Sequence, residues 1–443
     1  MLTTLMFLLL PIALSSPVDA DDATTTLELP EKYVQFTIAG GGRYAAFQLA
    51  SQNKMVVYDL TAAEQVFQID EVAPGDLLAG SLDKLVVVSP SKMMISRWDL
   101  KSARREKVAI IKSSDTPREA LLGAAGDGPL LLIGDKQAQW FDLEKLEPLE
   151  IQGPMFGGRG NYGLCVHVSA EGRTFAAIPT GYGPVGYSVV HLDGHRTTQV
   201  PLGSTSNAIR WAQPSADGHL LLLPGGEVFN RNGRPIAAKW FDGAAVIPSL
   251  DPSYLLAVRV DQRDTEGKPM AKFTVCSTAD CQPLFTETGF EEIVPPRINS
   301  WHDIAGALRM GNQWRVQLVP KENLLVTMPS DNRTIVIRPF NLRKQLRRSI
   351  DDYVYVRSIP PLAVTKGEAF QYRVRVQSST KSNRITLQDG PESAKLTDGT
   401  LEWNVPAEFA EPWARFLIAV SNADGKEVFH SFEVAVRDEE EKP

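Results

Sequence analysis

Gly40–Leu60 reads GGGRYAAFQLASQNKMVVYDL, and Leu82–Leu100 reads LDKLVVVSPSKMMISRWDL. The two stretches share one plan: a turn with Gly or Asp, a short apolar strand, a gap, and a second strand ending in an aromatic residue, Asp and Leu. The first closes at Tyr58-Asp59-Leu60 and the second at Trp98-Asp99-Leu100. Working outward, GDGPLLLIGDKQAQWFDL closes at Phe141-Asp142-Leu143, and the looser AEGRTFAAIPTGYGPVGYSVVHLDG ends near His191-Leu192-Asp193. PSADGHLLLLPGGEVFNRNG ends at Phe229-Asn230, PSLDPSYLLAVRVDQRDTEGKPMAKFTVCS carries an insertion between its strands, and ENLLVTMPSDNRTIVIRPFNL closes at Phe340-Asn341-Leu342. Closures recur at roughly 40 to 60 residues, the span of four short strands. The strands are runs of roughly four to seven Val, Leu, Ile, Phe and Tyr bounded by Gly, Asp, Ser and Pro. No helical period survives over more than two turns beyond the N-terminal segment, so the chain reads as all-β.

These copies resemble WD-repeat and related β-propeller blades, with Trp98-Asp99 nearest to that family's signature dipeptide. The family's Gly-His pair is missing, so the blades are divergent. The resemblance implies a seven-bladed β-propeller over residues 21–345; six or eight blades follow if the fourth or sixth copy is parsed differently. A ring of blades must close, because an open edge strand exposes unpaired backbone groups. Thr24–Leu29 (TTTLEL) alternates like a strand and is expected to complete the last blade as its outer strand.

The pattern changes after Leu342. Arg343–Asp352 (RKQLRRSIDD) reads as a polar, charged connector, with the linker proper at 346–352. Residues 353–437 form a second all-β unit. In AFQYRVRVQ, Phe370, Tyr372, Val374 and Val376 alternate as in a half-buried strand. Pro360-Pro361, Gly367, Tyr372, Gly390-Pro391 and Gly399–Trp403 with Pro406 resemble the immunoglobulin-like or cadherin-like domains of exported bacterial proteins. That resemblance implies a C-terminal immunoglobulin-like β-sandwich. Neither the Cys…Trp…Cys core of antibody domains nor a clustered calcium motif is present. Residues 438–443 make a charged tail.

Leu2–Leu14 is apolar and is followed by SSPVDA, with Val18 and Ala20 placed for cleavage after Ala20, so residues 1–20 read as a signal peptide. Thirteen residues span only ~20 Å as a helix, short of a ~30 Å hydrocarbon core. The n-region lacks Lys and Arg. Nothing later is apolar enough to cross a bilayer, so the mature chain is expected to have no membrane span and to be secreted, periplasmic or cell-envelope. Its formal charge is 46 − 52 = −6 after loss of Asp19, against −7 for the whole chain. With no clustered basic face, a nucleic-acid partner is not expected.

Cys276 and Cys281 bracket a four-residue turn in FTVCSTADCQPLF. In an oxidising compartment they are expected to form a disulfide across a hairpin. Cys165 is left as a lone core thiol. His191 and His195 flank Leu192-Asp193-Gly194, a weak metal signal best read as a solvated blade corner. Trp301-His302-Asp303 fits a hydrogen-bonded blade brace. Gly157-Gly158-Arg159-Gly160 lacks the Lys-Ser/Thr and following helix of a phosphate loop. Arg343, Lys344, Arg347 and Arg348 form the one basic cluster, read as a solvated linker, and Asn332-Arg333-Thr334 is a glycosylation sequon.

No catalytic, cofactor or metal residues can be singled out. The expectation is an exported, non-catalytic recognition or scaffold protein whose propeller loops and channel bind a protein or glycan. The alternatives are a propeller hydrolase or lyase with its centre at the channel mouth, and a quinoprotein-like dehydrogenase. Three or more carboxylates or imidazoles converging at one channel end would fit an enzyme; an uncharged channel would fit binding.

Overall fold

A computed structural model describes residues 23–156, 164–179, 185–205, 212–223, 226–236, 241, 243–263, 269–288, 308–349, 352–361 and 363–438. Residues 1–20, expected as a signal peptide, Gly157–Gly160, Trp301-His302-Asp303 and residues 439–443 lie outside the described residues.

The chain is nearly all β. Seven antiparallel sheets follow one another among the described residues, six of four strands and the third of three. Their first strands are Tyr33–Ala39, Leu77–Gly80, Pro117–Leu121, Leu164–Val168, Gln213–Pro214, Ala245–Pro248 and Val316–Val319. In the first six, the strands pair in sequence order. The seventh has three consecutive strands and borrows Thr25–Glu28, which pairs antiparallel with Thr334–Pro339, Thr25 opposite Ile337 and Glu28 opposite Thr334. The N-terminal strand expected to close the last sheet does so.

Side chains pack between neighbouring sheets. Ala46, Met55 and Val57 of the first sheet share a buried cluster with Leu78, Leu85 and Val87 of the second. Equivalent clusters join the second to the third, third to fourth, fourth to fifth, fifth to sixth and sixth to seventh. Phe36, Ile38 and Ala45 then meet Val319, Val326 and Ile337, joining the seventh sheet to the first. The result is a closed, propeller-like ring, which leaves only short outer-strand edges, such as Arg104–Ile110, facing solvent.

Backbone hydrogen bonds knit one face of this ring at the turns between each sheet's first and second strands. Gly40 N–H donates to Ser81 O (2.8 Å), Leu82 to Gly126 (2.8 Å), Ala125 to Ala170 (2.7 Å), Glu171 to Ala216 (2.9 Å) and Leu250 to Leu318 (3.2 Å). Such approach needs glycine: a Cβ on Gly126 would sit 2.3 Å from the Glu171 carbonyl oxygen. Gly42, at φ +102°, is wedged between Leu250 and Val319 and has room for no side chain.

The repeated Asp or Asn at each closure caps a turn. The Asp59 carboxylate accepts from the N–H of Thr61 and Ala62, Asp99 from Ser102, Asp142 from Lys145, and the Asn230 side-chain oxygen from Asn232 and Arg234. The recurring dipeptide is thus a strand end plus an Asx turn. Asn341, in the same place, caps a helix by accepting from Lys344 N–H at 2.9 Å.

That helix, Leu342–Ser349, stands where a solvated connector was expected. The reason is the Leu342/Leu346 pair, four residues apart on one face, buried with Phe273, Phe340 and Tyr353. The basic residues Arg343, Lys344, Arg347 and Arg348 therefore sit on a docked helix.

Beyond it, Ala363–Thr365, Glu427–Arg437, Trp413–Asn422 and Asn383–Asp389 form one sheet in that order. Ala369–Arg373, Thr400–Asn404 and Lys395–Thr397 form another, and Val354–Val356 pairs with Val376–Ser378. Phe370, Tyr372, Leu401 and Trp403 of one layer meet Phe416, Ile418 and Val434 of the other in a common core. Phe370, Tyr372 and Val374 are buried as the alternation predicts, while Val376 is half-buried.

Candidate functional site

Two spaces in the fold invite a ligand. The first is the channel enclosed by the ring. Its walls include Thr37, Leu122, Ser169, Gln213, Ser249 and Gln317, each from a different sheet or its first turn, and its volume is about 80 Å³. Space of that size holds a few waters, far below the roughly 300–1,000 Å³ of ligand sites.

One group of reactive side chains sits at this channel. His167, buried, accepts a hydrogen bond from the Arg309 guanidinium at its Nε2 and lies 3.8 Å from Cys165 Sγ through Nδ1. Cys165 Sγ also contacts Asn312 Oδ1 at 3.7 Å, and Asn312 Nδ2 donates to Glu119 at 3.2 Å. Burial, reinforced by Arg309, pushes the His167 pKa well down and keeps the ring neutral. Cys165, expected as an isolated core thiol, instead belongs to this polar network. The Leu164–Val168 strand places it there two residues from His167 on the same face, a spacing visible in LCVHV but not singled out.

The second space is larger. A cleft of about 720 Å³ lies between the fifth and sixth sheets of the ring and the C-terminal unit. Leu220, Ile236 and Thr278 line one wall, Val428, Phe429 and His430 the other. Side-chain bridges across the junction fix its width. Asp193 accepts from Arg437 across the junction at 2.6 Å and from Arg231 within the ring at 3.5 Å, and Glu433 takes Arg234 across the junction at 2.8 Å and Arg415 on the neighbouring strand at 2.9 Å. His219 Nε2 donates to Pro360 O at 3.0 Å while its Nδ1 lies 2.7 Å from Asp217. Ser253 Oγ donates to Arg357 O, and the hydroxyls of Tyr254 and Tyr355 meet at 3.2 Å.

The cleft is amphipathic. Phe429 is 54% exposed at its edge. Among the described residues, Thr278 Oγ1, His430 Nδ1 and Glu433 Oε2 are buried atoms without a hydrogen-bond partner, and all three residues line the cleft. Buried polar atoms are normally satisfied, and these three belong to residues of one cleft. The other His430 nitrogen, Nε2, is 3.0 Å from the Tyr372 hydroxyl. Burial, with His219 adding, lowers the His430 pKa to about 4.

Sequence-predicted residues fare unevenly. His191 is not on a solvated corner: it is buried, its Nδ1 3.2 Å from Thr174 Oγ1 and its Nε2 3.2 Å from Arg231 O, and burial lowers its pKa to about 3. His195 is exposed, and Asp193 faces the arginines instead of either imidazole. Cys276 and Cys281 are free, buried thiols. They do not face each other in the ladder, because the turn runs to Gln282 and Cys276 is opposite Pro283. Burial raises both thiol pKa values, that of Cys281 to about 12. Among the described residues no group of three His, Cys, Asp or Glu is placed to hold a metal, and no helix is long and apolar enough to cross a membrane. The cleft itself was not legible in sequence, since its walls are separated by some two hundred positions.

No family model and no curated protein matches this chain. Among solved structures it is similar to Kuenenia stuttgartiensis hydrazine synthase, at 15% identity over 70% of this chain and 96% of that one, with a TM-score of 0.39. It is also similar to the β-propeller domain of Myceliophteria thermophila Cps50 (Swd1), at 12% identity over 72% and 99% of the two chains, TM-score 0.44. A chain of a mitotic checkpoint complex matches at 12% identity over 76% and 100%, TM-score 0.43. The strand pairing and the seven inter-sheet cores, independent of these likenesses, establish the propeller-like ring.

Proposed function

We propose that this chain is an exported recognition or scaffold protein: a seven-bladed β-propeller followed by an immunoglobulin-like β-sandwich, released to the periplasm, cell envelope or exterior after cleavage behind Ala20. Its partner is a protein or a glycan. The observation that carries this reading is the 720 Å³ cleft, whose walls come from both units and whose lining mixes an exposed phenylalanine with unpartnered polar atoms. The narrow channel supports the same reading, because no Asp, Glu, Lys or Arg is among its described lining residues and it leaves little room for a substrate. Recognition therefore falls at the junction of the two units, with the ring's loops as a second contact surface.

The hydrolase alternative rests on Cys165, His167 and Arg309, the one described group at the channel that could carry a nucleophile. Affinity capture from the native envelope fraction, with metal analysis of the purified protein, tests the choice. A discrete partner captured by the wild type and lost in Phe429→Asp supports recognition at the cleft. Hydrolytic turnover abolished by Cys165→Ala, with capture unaffected by Phe429→Asp, would reverse it.

A further inference from the structure

The Glu427–Arg437 strand has an open edge, and that edge faces the cleft. At one end of its hairpin with Trp413–Asn422, Asn422 N–H donates to Lys426 O (3.0 Å); at the other, Val436 N–H donates to Pro412 O (2.9 Å). The register between them is unbroken, from Ser421 opposite Glu427 to Trp413 opposite Ala435. Antiparallel ladders alternate, so the N–H and C=O of Val428, His430, Phe432 and Val434 point toward Trp413–Asn422. Those of Phe429, Ser431 and Glu433 point the other way. On that side the Ala363–Thr365 strand pairs only with Ala435, Val436 and Arg437. The outward backbone groups of Phe429, Ser431 and Glu433 thus have no partner among the described residues. All seven consecutive residues from Glu427 to Glu433 line the cleft. A strand presenting one face would contribute alternate residues; a strand presenting its edge contributes every one.

We propose that the cleft binds an extended peptide segment of a partner protein, which adds as a strand to the Phe429–Glu433 edge. The inference rests on the cleft being the recognition site and names what fills it. An unpaired strand edge is a template for another chain, and strand addition is a known mode of peptide capture. Five paired residues would cover about 17 Å of edge. The wall formed by Leu220 and Ile236 stands opposite, so a single strand fits where a folded second copy does not. Phe429, 54% exposed and beside the edge, calls for an apolar or aromatic side chain on the incoming strand, as in cross-strand aromatic pairs.

The test uses the full chain, a phage-displayed library of random decapeptides, and the selected peptide synthesised with a fluorophore. Proline at 431 deletes an outward N–H and leaves the ladder to Trp413–Asn422 intact, as edge positions tolerate. Ser431→Pro should weaken binding roughly tenfold, whereas Ser431→Ala, which keeps the N–H, should bind like the wild type. Hydrogen exchange on the wild type is a second readout that does not depend on the variant folding. The amides of Phe429, Ser431 and Glu433 should exchange fast in the free protein and become protected with peptide, while those of Val428, His430 and Phe432 are protected throughout. A selected peptide that leaves these three amides unprotected, or binds Ser431→Pro at full strength, overturns strand addition while keeping the cleft as a site. Selection of no peptide at all overturns it too.

Discussion

The channel and the cleft are built by different parts of the chain. The channel is a product of backbone: hydrogen bonds between neighbouring sheets and glycines that admit no Cβ hold its rim, and its volume is about 80 Å³. The cleft is a product of side chains. Arg234 and Arg437 join the two units through Glu433 and Asp193, and about 720 Å³ stays open at the junction. Backbone contacts of this kind recur at several junctions of the ring, so they specify an architecture. Side-chain bridges occur once, so they can specify a site.

Acid should strain both regions, and by the largest amount. His191 beneath the ring and His430 at the cleft are buried, which holds their folded pKa values to about 3 and about 4 against an ordinary 6.5. A base with a depressed folded pKa is neutral when folded and protonated when unfolded, so its contribution is intact above pH 6.5 and is lost as pH falls toward 4 and 3. Each imidazole costs about 1.4 kcal/mol per pH unit in that window, or about 4 kcal/mol for the pair at pH 5 relative to pH 7. Urea unfolding at the two pH values measures it. His430→Gln should remove the cleft's share of the loss and leave the ring's share, to which the buried His167 adds; equal stabilities of the wild type at pH 5 and pH 7 would refute the account.

The rim of the channel comes next. Gly126→Val forces a side chain against the Glu171 carbonyl, 2.3 Å from where a Cβ would stand, and should cost about 3 kcal/mol. Thermal melting should show the drop, and an unchanged midpoint would mean that the inter-sheet turns are not under tension.

This division also explains what could be read from the sequence. Asp59, Asp99, Asp142 and Asn230 recur because in four sheets the third strand runs into the same capped turn. Repetition made the ring legible, including the Thr25–Glu28 strand that seals it. The alternation of Phe370, Tyr372 and Val374 did the same for the C-terminal unit. The docked helix was missed because four basic residues masked the Leu342/Leu346 pair. The cleft was missed because its bridges join Asp193 to Arg437 and Arg234 to Glu433, pairs that no local spacing announces. His191 was misread because an Asp-Gly corner hides the Thr174 hydroxyl that receives it across the sheet.

The two thiols lie beside the cleft, since Cys281 and its neighbours line it. Cys276 and Cys281 share one buried cluster with Leu255 and Val246. In an oxidising compartment the chain should still close them into a disulfide, stabilising by about 2 kcal/mol for so short a loop. Alkylation of unfolded, unreduced protein from the envelope fraction, read by mass, should then modify Cys165 alone. Three modified cysteines would show that the turn between the two keeps them apart.

The smallest effect separates the two regions most cleanly. Asp193 is the shared anion of Arg231 and Arg437. Burial raises its carboxyl pKa, but the hydrogen bond from Arg437 and the charges of both arginines outweigh that and hold it below the usual range. Its side chain is 34% exposed, so solvent and salt screen the pairs, and Asp193→Asn should cost only about 1 kcal/mol in unfolding. The loss should fall on the junction: amides of the fifth sheet and of Glu427–Arg437 should exchange faster, while those of the rim turns stay as they were. Raising salt on the wild type should reproduce the same pattern, because screening weakens ion pairs and leaves backbone bonds alone. If rim amides loosened equally, ring and cleft would be one cooperative unit, and the contrast between a backbone frame and a side-chain site would fail.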